Sequence, residues 1–295
     1  MAASARRSES HRKGLLLVAS GALAWSLAGL IFRLTSVDVI TILCGRATAA
    51  ALFLLVVLLR RKGLKLPSSL IAMGWPGLAV ALLFIVDGGC YMGALHFTSV
   101  AHLVVMVALT PLSSALIGLL VLKEPVKRVV WIAIGVSFTG AAVMVSGSFG
   151  SSSLVGDLLA MGVPAVFGLI IVIMRRHPEV ETLPTVFIAA AFSALLFLPF
   201  AKFGAAPAGD FVLMAALGID EFGIGLMLYL AGAKLIPPAE AGLMSLLETV
   251  AAPIWVWIAL GENPGLRTLA GGLLVLAALA GVAISDLRGA KAMRP

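Results

Sequence analysis

Long apolar stretches separated by short polar segments recur from one end of the chain to the other. A membrane core of about 30 Å is crossed by about 20 residues of α-helix. Together, these two facts predict an all-α integral membrane protein with ten transmembrane helices. Called spans 1 to 10, they cover about 14–32, 38–59, 70–94, 98–121, 128–147, 154–174, 184–201, 210–233, 238–260 and 265–285.

The composition supports this interpretation and excludes other classes of protein. Hydrophobic residues make up 61% of the 295 and charged residues 12%, with a mean hydropathy of +1.12. A soluble domain has roughly 45–50% apolar and about 25% charged residues, so an ordinary soluble protein is excluded, as is an intrinsically disordered chain. The net charge of +7 would suggest nucleic acid as a partner of a soluble protein, so the location of the positive charges matters.

Lys and Arg are distributed unequally between the two sides of the membrane. If the N-terminus is cytoplasmic, 17 of the 21 lie in cytoplasmic segments, three lie on the other side, and one, Arg46, lies within span 2. Positive residues concentrate in the cytoplasmic loops of membrane proteins. The pattern therefore predicts a multi-pass protein with both termini in the cytoplasm. It also assigns the charge surplus to membrane topology, so no nucleic-acid partner is expected.

A weak internal repeat relates the two halves of the chain. Shifting the sequence by 138 residues aligns Tyr91 with Tyr229 and Glu124 with Glu262. The shift places spans 3 and 4 on spans 8 and 9, so the repeating unit has five helices. Because five is odd, the second copy has inverted topology, a plan typical of secondary transporters with a site near the midplane. The other identical pairs are Ala101 and Ala239, Met106 and Met244, Leu109 and Leu247, and Leu122 and Leu260.

The repeat predicts the organisation of the chain: a cytoplasmic tail at 1–13, five-helix repeats at 14–147 and 154–286, a linker at 148–153 and a second cytoplasmic tail at 287–295. The loops are too short for a nucleotide-binding domain, and no G-x-x-x-x-G-K-[ST] motif occurs, so ATP-driven transport by this chain alone is excluded. The two cysteines lie within spans, and no metal-type Cys and His spacing occurs. We therefore expect neither a disulfide nor a cofactor.

Four groups of short motifs carry a resemblance to a known family. They are C-G-R-A-T-A around Arg46, Y-M-G-A-L-H-F-T-S-V-A at 91–101, L-T-P at 109–111 followed by K-E-P at 123–125, and L-L-E-T-V at 246–250 followed by G-E-N-P at 261–264. In this combination the chain resembles the EamA type of the drug/metabolite transporter superfamily, and within it the YddG-like amino acid exporters. The resemblance implies a central cavity lined mainly by spans 1, 3, 4, 6, 8 and 9, with spans 5 and 10 as packing helices.

The resemblance also implies export of aromatic amino acids and related metabolites, and a location in the bacterial inner membrane. The sequence departs from the family pattern in span 9, where the family often has Pro at the position of Thr249. Here the nearest proline is Pro253, one turn later. We therefore expect the helix break in span 9 to be displaced.

Five charged residues lie within spans and away from the span ends, in positions where a charge costs several kcal/mol unless it is paired or hydrated. They are Arg46, Asp87, Asp220, Glu221 and Glu248. One interpretation is a polar translocation path or proton relay, and the other is a set of structural ion pairs, above all between Arg46 and Glu221. Spacing by four predicts that Asp87 shares a helix face with Tyr91, and that Glu221 shares one with Gly225 and Tyr229.

The candidate path combines these acids with aromatic and polar residues on the same predicted faces. Trp25 could stack on a flat substrate, although packing is the plainer interpretation, and His102 and Met106 share one face of span 4. Ser245 lies three residues before Glu248, whose carboxylate could attract a substrate ammonium group or hold a proton. The predicted substrate-binding or translocation residues are Trp25, Asp87, Tyr91, His102, Met106, Glu221, Tyr229, Ser245 and Glu248.

The predicted function is a secondary transporter that exports aromatic or large apolar amino acids such as Phe, Trp and Met by alternating access. Coupling to protons and facilitated diffusion both remain open. The alternatives are an EamA-type transporter of another small metabolite or drug, a sensor or scaffold, and an intramembrane enzyme. The absence of an H-E-x-x-H motif and of paired aspartates in a G-x-G-D context argues against the enzyme. Besides the lipid bilayer, we expect a small-molecule substrate as partner. Ala277 and Gly281 form a small-xxx-small pair suited to packing with the other half or with a second subunit, so monomer and homodimer both remain open.

Overall fold

The computed structural model describes residues 2–63, 66–98, 100–146, 154–261, 263 and 265–292. The predicted linker at 148–153, Glu262 and the last residues of the C-terminal tail lie outside this part of the chain. The α-helices are α1 (Ala2–Trp25), α2 (Ala28–Leu34), α3 (Val39–Lys62), α4 (Leu66–Ala72), α5 (Gly74–Phe97), α6 (Val100–Val107), α7 (Thr110–Val121), α8 (Arg128–Val145), α9 (Leu154–Arg176), α10 (Thr182–Phe197), α11 (Ala208–Gly218), α12 (Met227–Ala233), α13 (Pro238–Ser245), α14 (Leu247–Leu260) and α15 (Gly265–Ala292).

Ten helical segments of the described chain are long and apolar enough to cross a membrane, which confirms the predicted number of spans. Span 3 begins later than the sequence predicted, because the chain turns at Gly74, where φ is +61°. The spans are Glu9–Ile31, Val39–Lys62, Gly74–Tyr91, His102–Val121, Arg128–Val145, Leu154–Arg176, Thr182–Phe200, Ala208–Ala233, Pro238–Leu260 and Gly265–Ser285. We call the end where span 1 begins and span 10 ends the terminal face, and the other end the opposite face.

Span 2 shows how local sequence sets the ends of a helix. Asp38 precedes it as the N-cap, and its carboxylate accepts hydrogen bonds from the Thr41 backbone N–H at 3.1 Å and the Thr41 hydroxyl at 2.7 Å. Partial burial acts to raise the pKa of Asp38, but these hydrogen bonds outweigh it and hold the pKa below its usual range. At the other end, three basic residues occupy the last turn, where positive charge complements the helix dipole.

The contacts between helices have approximate two-fold symmetry: the principal contacts have counterparts in which the two halves of the chain are exchanged. Span 6 packs against spans 3 and 4, and span 1 packs against their counterparts, spans 8 and 9. We call spans 3, 4 and 6 bundle A and spans 8, 9 and 1 bundle B. Span 2 packs on span 7, and span 5 on span 10, so these pairs flank the two bundles. Each bundle thus takes its third helix from the other half, as expected of two inverted five-helix repeats.

Spans 5 and 10 meet through a pair of glycines. A methyl group added at Gly140 would lie 2.6 Å from the carbonyl oxygen of Gly271, so only glycine permits this approach of the two backbones. The small pair predicted for packing with the other half, Ala277 and Gly281, does not make this contact. Both residues are exposed, and no atom lies within 4 Å of a methyl placed on Gly281. A role of that pair in binding a second subunit stays a prediction.

Spans 4 and 9 are each broken at equivalent positions. In span 4, α6 ends at Val107 and α7 begins at Thr110, because Pro111 cannot continue the hydrogen bonding of the preceding turn. In span 9 the break falls at Leu246, so the expectation of a displaced break was wrong, and Pro253 lies inside α14. At this break the Ser245 hydroxyl donates to the Gly242 carbonyl at 2.7 Å, a local bond of the kind that often bends helices.

Span 8 contains a π-helical segment, Ile219–Leu226, between α11 and α12. Such segments are rare and concentrate at functional sites. The wider turn changes the register of side chains, so spacing by four no longer keeps residues on one face. Glu221 reaches span 2, whereas Gly225 and Tyr229 meet Trp25 of span 1. The predicted common face of these three span 8 residues was therefore wrong.

Candidate functional site

Arg46 is the positive centre of a group of charged side chains in the middle of the bundle. Its guanidinium forms an ion pair with the Glu221 carboxylate and lies 5.1 Å from the centre of the Phe222 ring. The side chains of Arg46 and Glu221 are 16% and 22% exposed. The Nε atom of Arg46 is buried and has no acceptor among the described residues, which leaves one donor of the guanidinium unused.

Two more carboxylates lie within electrostatic reach of Arg46. They are Asp87 of span 3 and Glu248 of span 9, and Glu248 also interacts with Glu221. Oδ1 of Asp87 is buried without a hydrogen-bond partner in the described chain. One guanidinium therefore faces three carboxyl groups from spans 3, 8 and 9. Buried polar atoms are nearly always satisfied in proteins, so these atoms have capacity for a further hydrogen bond to water or to another polar group.

This group lies at the interface between bundles A and B. Asp87 and Tyr91 come from bundle A, and Glu221 and Glu248 come from bundle B. Tyr91 interacts electrostatically with Arg46 and all three carboxyl groups, so its hydroxyl points into the group, yet the residue is 38% exposed. Tyr91 therefore combines contact with the charged groups and an accessible surface. We call Arg46, Asp87, Tyr91, Glu221 and Glu248 the charged site.

Four aromatic residues, which we call the aromatic group, lie against the charged site and join the two bundles. Trp25 stacks on Tyr229 with ring centres 4.7 Å apart, and Phe167 contacts them at 5.8 Å and 5.5 Å respectively. Phe84 extends the group, 6.3 Å from Phe167. The Trp25 indole N–H donates to the backbone carbonyl of Glu221 at 2.9 Å, which couples the aromatic group to the π-helical segment that carries the acid.

The remaining predicted path residues make other contacts. The Tyr229 hydroxyl donates to the Ala241 carbonyl at 2.9 Å, and Ser245 also donates to backbone. His102 pairs with Asp157 at 2.9 Å near the opposite face, and Met106 packs against a small apolar cluster of spans 3, 4 and 6. The structure thus brings the predicted acids together with Tyr91, Trp25 and Tyr229, and it places His102 and Met106 apart from them.

Comparison with known proteins identifies the family of the chain. The sequence profile described as the EamA-like transporter family matches twice, at residues 12–146 and at 154–284. The chain belongs to the EamA-like transporter family. The two matches coincide with the two five-helix halves. A search among curated proteins found no match.

A crystal structure similar to this EamA-like transporter supports the fold. Its chain shares 21% sequence identity, with a TM-score of 0.81 over 93% of this chain and 98% of that one. At this identity the likeness establishes the architecture alone. The family belongs to the drug/metabolite transporter superfamily.

Sequence reasoning missed several acids of this transporter because they lie near span ends. Glu240 is 1% exposed, accepts a hydrogen bond from His11 at 2.6 Å, and lies 3.5 Å from the Lys127 ammonium. Asp210 accepts from the backbone N–H and the hydroxyl of Ser36 at 2.9 Å and 2.8 Å. Acids in the first turn of a span were the available signal, but spacing along one helix does not reveal partners on another.

Further ion pairs at the terminal face of the transporter connect the ends of helices to loops. Lys62 pairs with Glu181 at 2.8 Å, and this contact holds the pKa of Glu181 below its usual range. Arg175 binds the Glu124 carboxylate and donates to the backbone carbonyl of Lys234 at 2.9 Å. Burial lowers the pKa of Lys234. These contacts join both halves at the face that carries the excess of positive residues.

Proposed function

We propose that this EamA-like transporter exports amino acids with aromatic or large apolar side chains across the bacterial inner membrane, with both termini in the cytoplasm. The observation that carries the proposal is the charged site between the bundles. It offers one guanidinium with an unused donor, and carboxyl groups with an unused acceptor, at one place. Secondary transporters with inverted repeats bind substrate near the midplane at the repeat interface.

A zwitterionic amino acid complements this set of charges. Its carboxylate can bind Arg46, since a guanidinium presents several donors to a planar carboxylate. Its ammonium group can bind Asp87 and Glu248, which lie on opposite bundles. A bound zwitterion would satisfy the unpartnered atoms and add no net charge to a buried site, where an unpaired charge is costly.

The aromatic group supports the preference for flat or large apolar side chains. Phe167 is half-buried and contacts Trp25, Phe84 and Tyr229. Aromatic rings favour offset-stacked and edge-to-face contacts with one another, so a substrate ring would extend an arrangement that is already present. A second candidate, another small metabolite, remains compatible with the family. It is favoured if the substrate carries no ammonium group for the carboxylates to bind.

Proton coupling would use the same carboxyl groups. The charged site holds more acids than cations, so a proton on Glu248 or Asp87 would reduce the repulsion between them. A facilitated carrier would need no such proton. Counterflow with and without a pH gradient distinguishes the two, and Glu248 is excluded as the proton site if Glu248→Gln retains pH-dependent transport.

The test of the proposed function is counterflow in liposomes with the purified protein. We expect flux of labelled phenylalanine, tryptophan or methionine, and loss of about tenfold or more in Asp87→Asn, because a charge-assisted contact is worth roughly 1.5–3 kcal/mol. Glu179→Gln is the matched control, since Glu179 is exposed and lies in a loop. Absence of amino acid flux together with flux of nucleotide sugars or triose phosphates would contradict the proposed substrate class.

A further inference from the structure

The two bundles touch at the terminal face through small residues. There α7 of bundle A packs directly on α13 of bundle B. A methyl group at Gly242 would lie 3.0 Å from the Cα of Pro111, and one at Gly118 would lie 3.1 Å from Cγ of Pro238. Ser114 lies beside Gly242 in the same contact. We call these five residues the small-residue seam. The backbones of α7 and α13 could not approach as closely if the glycines of the seam carried larger side chains.

The aromatic group closes the same interface between the charged site and the terminal face. Phe84 and Phe167 belong to bundle A, whereas Trp25 and Tyr229 belong to bundle B. The contacts of Phe167 with Trp25 and Tyr229 therefore cross from one bundle to the other. Tyr229 is fully buried and Trp25 nearly so, so these two rings are packed closely at this interface.

The opposite face lacks the corresponding contact. By the two-fold relation, α6 and α14 are the counterparts of α13 and α7. Among the residues that the structure describes, α6 and α14 make no comparable contact. Within the part of the chain that the structure describes, the two bundles are therefore joined by α7 and α13 at the terminal face and lack the equivalent contact between α6 and α14 at the opposite face.

The sequence explains why the two faces differ. The shift of 138 residues that relates the halves places Val104 where α13 has Gly242, and Val256 where α7 has Gly118. A valine side chain in such a contact holds the two helix backbones farther apart than a glycine does. A closed opposite face would therefore lose much of the close packing that the seam gives the terminal face.

We infer that the small-residue seam and the aromatic group form the terminal-face gate of this transporter, and that the glycines of the seam make it rest with the charged site open to the opposite face. The inference rests on the proposed function only in that alternating access requires two gates. Substrate would open the seam by favouring the state in which the bundles separate at the terminal face. The seam residues thereby set the balance between the two states.

The test measures from which face the charged site can be reached. A single reporter, Tyr91→Cys, is placed in a protein whose native cysteines are replaced by Cys44→Ala and Cys90→Ser. A membrane-impermeant maleimide is then applied to either face, in intact cells and in inverted vesicles, without substrate. We expect labelling from the opposite face at least about tenfold faster than from the terminal face, because a few-kcal/mol difference leaves the minor state at about 0.1–10%.

Two variants should lower the ratio of opposite-face to terminal-face labelling, each by acting on a different face. Gly242→Ala forces α7 and α13 apart, so labelling from the terminal face should rise by about tenfold. Val104→Ala removes side-chain volume at the opposite face and lets the bundles approach each other there. Labelling of the reporter from that face should therefore fall. Gly135→Ala is the matched control, because nothing lies within 4 Å of a methyl at that position, and its labelling should equal that of the reporter protein.

Other results would overturn the inference. Equal labelling from both faces in the reporter protein contradicts the resting state, and an unchanged ratio in Gly242→Ala contradicts the role of the seam. If Gly242→Ala does not yield folded protein, two other variants test the same gate. Gly118→Ala introduces a less severe clash between α7 and α13, and Phe167→Ala removes an aromatic ring from the gate. Since no substrate is present, a failure of amino acid transport would leave these labelling results standing.

Discussion

Replacement of Glu240 by glutamine tests whether buried ion pairs at the terminal face hold the bundle together. Glu240 is 1% exposed and interacts with His11 of span 1 at 2.6 Å and with Lys127, just before span 5, at 3.5 Å. It therefore joins span 9 to two other helical segments. Glutamine has nearly the same size and shape, so the substitution removes the negative charge while leaving the packing intact.

The expected cost follows from the burial of the three side chains. Removing one partner of a fully buried ion pair costs about 3–5 kcal/mol. His11 and Lys127 are 28% and 53% exposed, so water partly solvates them once the carboxylate is gone. The glutamine amide can also keep the hydrogen bond to His11. We therefore expect a loss of about 2 kcal/mol, below the range for a fully buried pair.

Thermal unfolding of the purified protein in detergent measures this loss. A change of about 2 kcal/mol corresponds to a Tm lower by about 3 °C in a chain of this size. In the double variant with His11→Gln, the two losses should not add, because both substitutions remove the same contact. Glu179→Gln, at an exposed position, should leave Tm unchanged. A Glu240→Gln protein with the Tm of the unsubstituted chain would refute the reasoning.

Three further predictions concern stability. The contact with Lys62 keeps the pKa of Glu181 below its ordinary value of 4.5. The contribution of Glu181 to stability is therefore present above that pH and is lost as the pH falls through the lowered pKa. Tm measured from pH 6 to 3 should decline less steeply in Glu181→Gln than in the unsubstituted protein. Asp38→Ala removes the N-cap of span 2 and should cost about 1 kcal/mol in Tm measurements, whereas equal stability would exclude a capping role. Gly140→Ala should destabilise by about 1–3 kcal/mol through the clash with span 10. Gly135→Ala on the same helix has open space for the methyl group and should not destabilise. Equal Tm values for the two variants would contradict the close glycine contact.

The membrane spans were predictable because each one can be recognised from its own residues. A helix in hydrocarbon satisfies its own backbone hydrogen bonds, so length and hydropathy suffice to locate it. The break in span 4 was also accessible from sequence, since Pro111 causes it. The break in span 9 was not, because it falls at Leu246, where no proline marks it, while Pro253 lies inside α14.

The candidate site was predictable in its residue types and not in its arrangement. Asp87, Glu221 and Glu248 stood out because charged residues are costly within a span. That all three surround Arg46 depends on how spans 2, 3, 8 and 9 pack together. The aromatic contact of Phe167 with Trp25 depends on the same packing, and no spacing within span 6 indicates it.

The sequence by itself determined the ten spans, the five-helix repeat and the few charged residues that lie in the membrane. These properties follow from the cost of placing polar groups in hydrocarbon, which acts on each segment separately. The sequence suggested the ion pair of Arg46 with Glu221, and the structure confirms it. Only the tertiary structure decided the other meetings, such as His102 with Asp157 and Gly242 with the turn at Pro111. Such contacts depend on the depth, tilt and π-helical register of two helices at once, which the spacing along one helix does not contain.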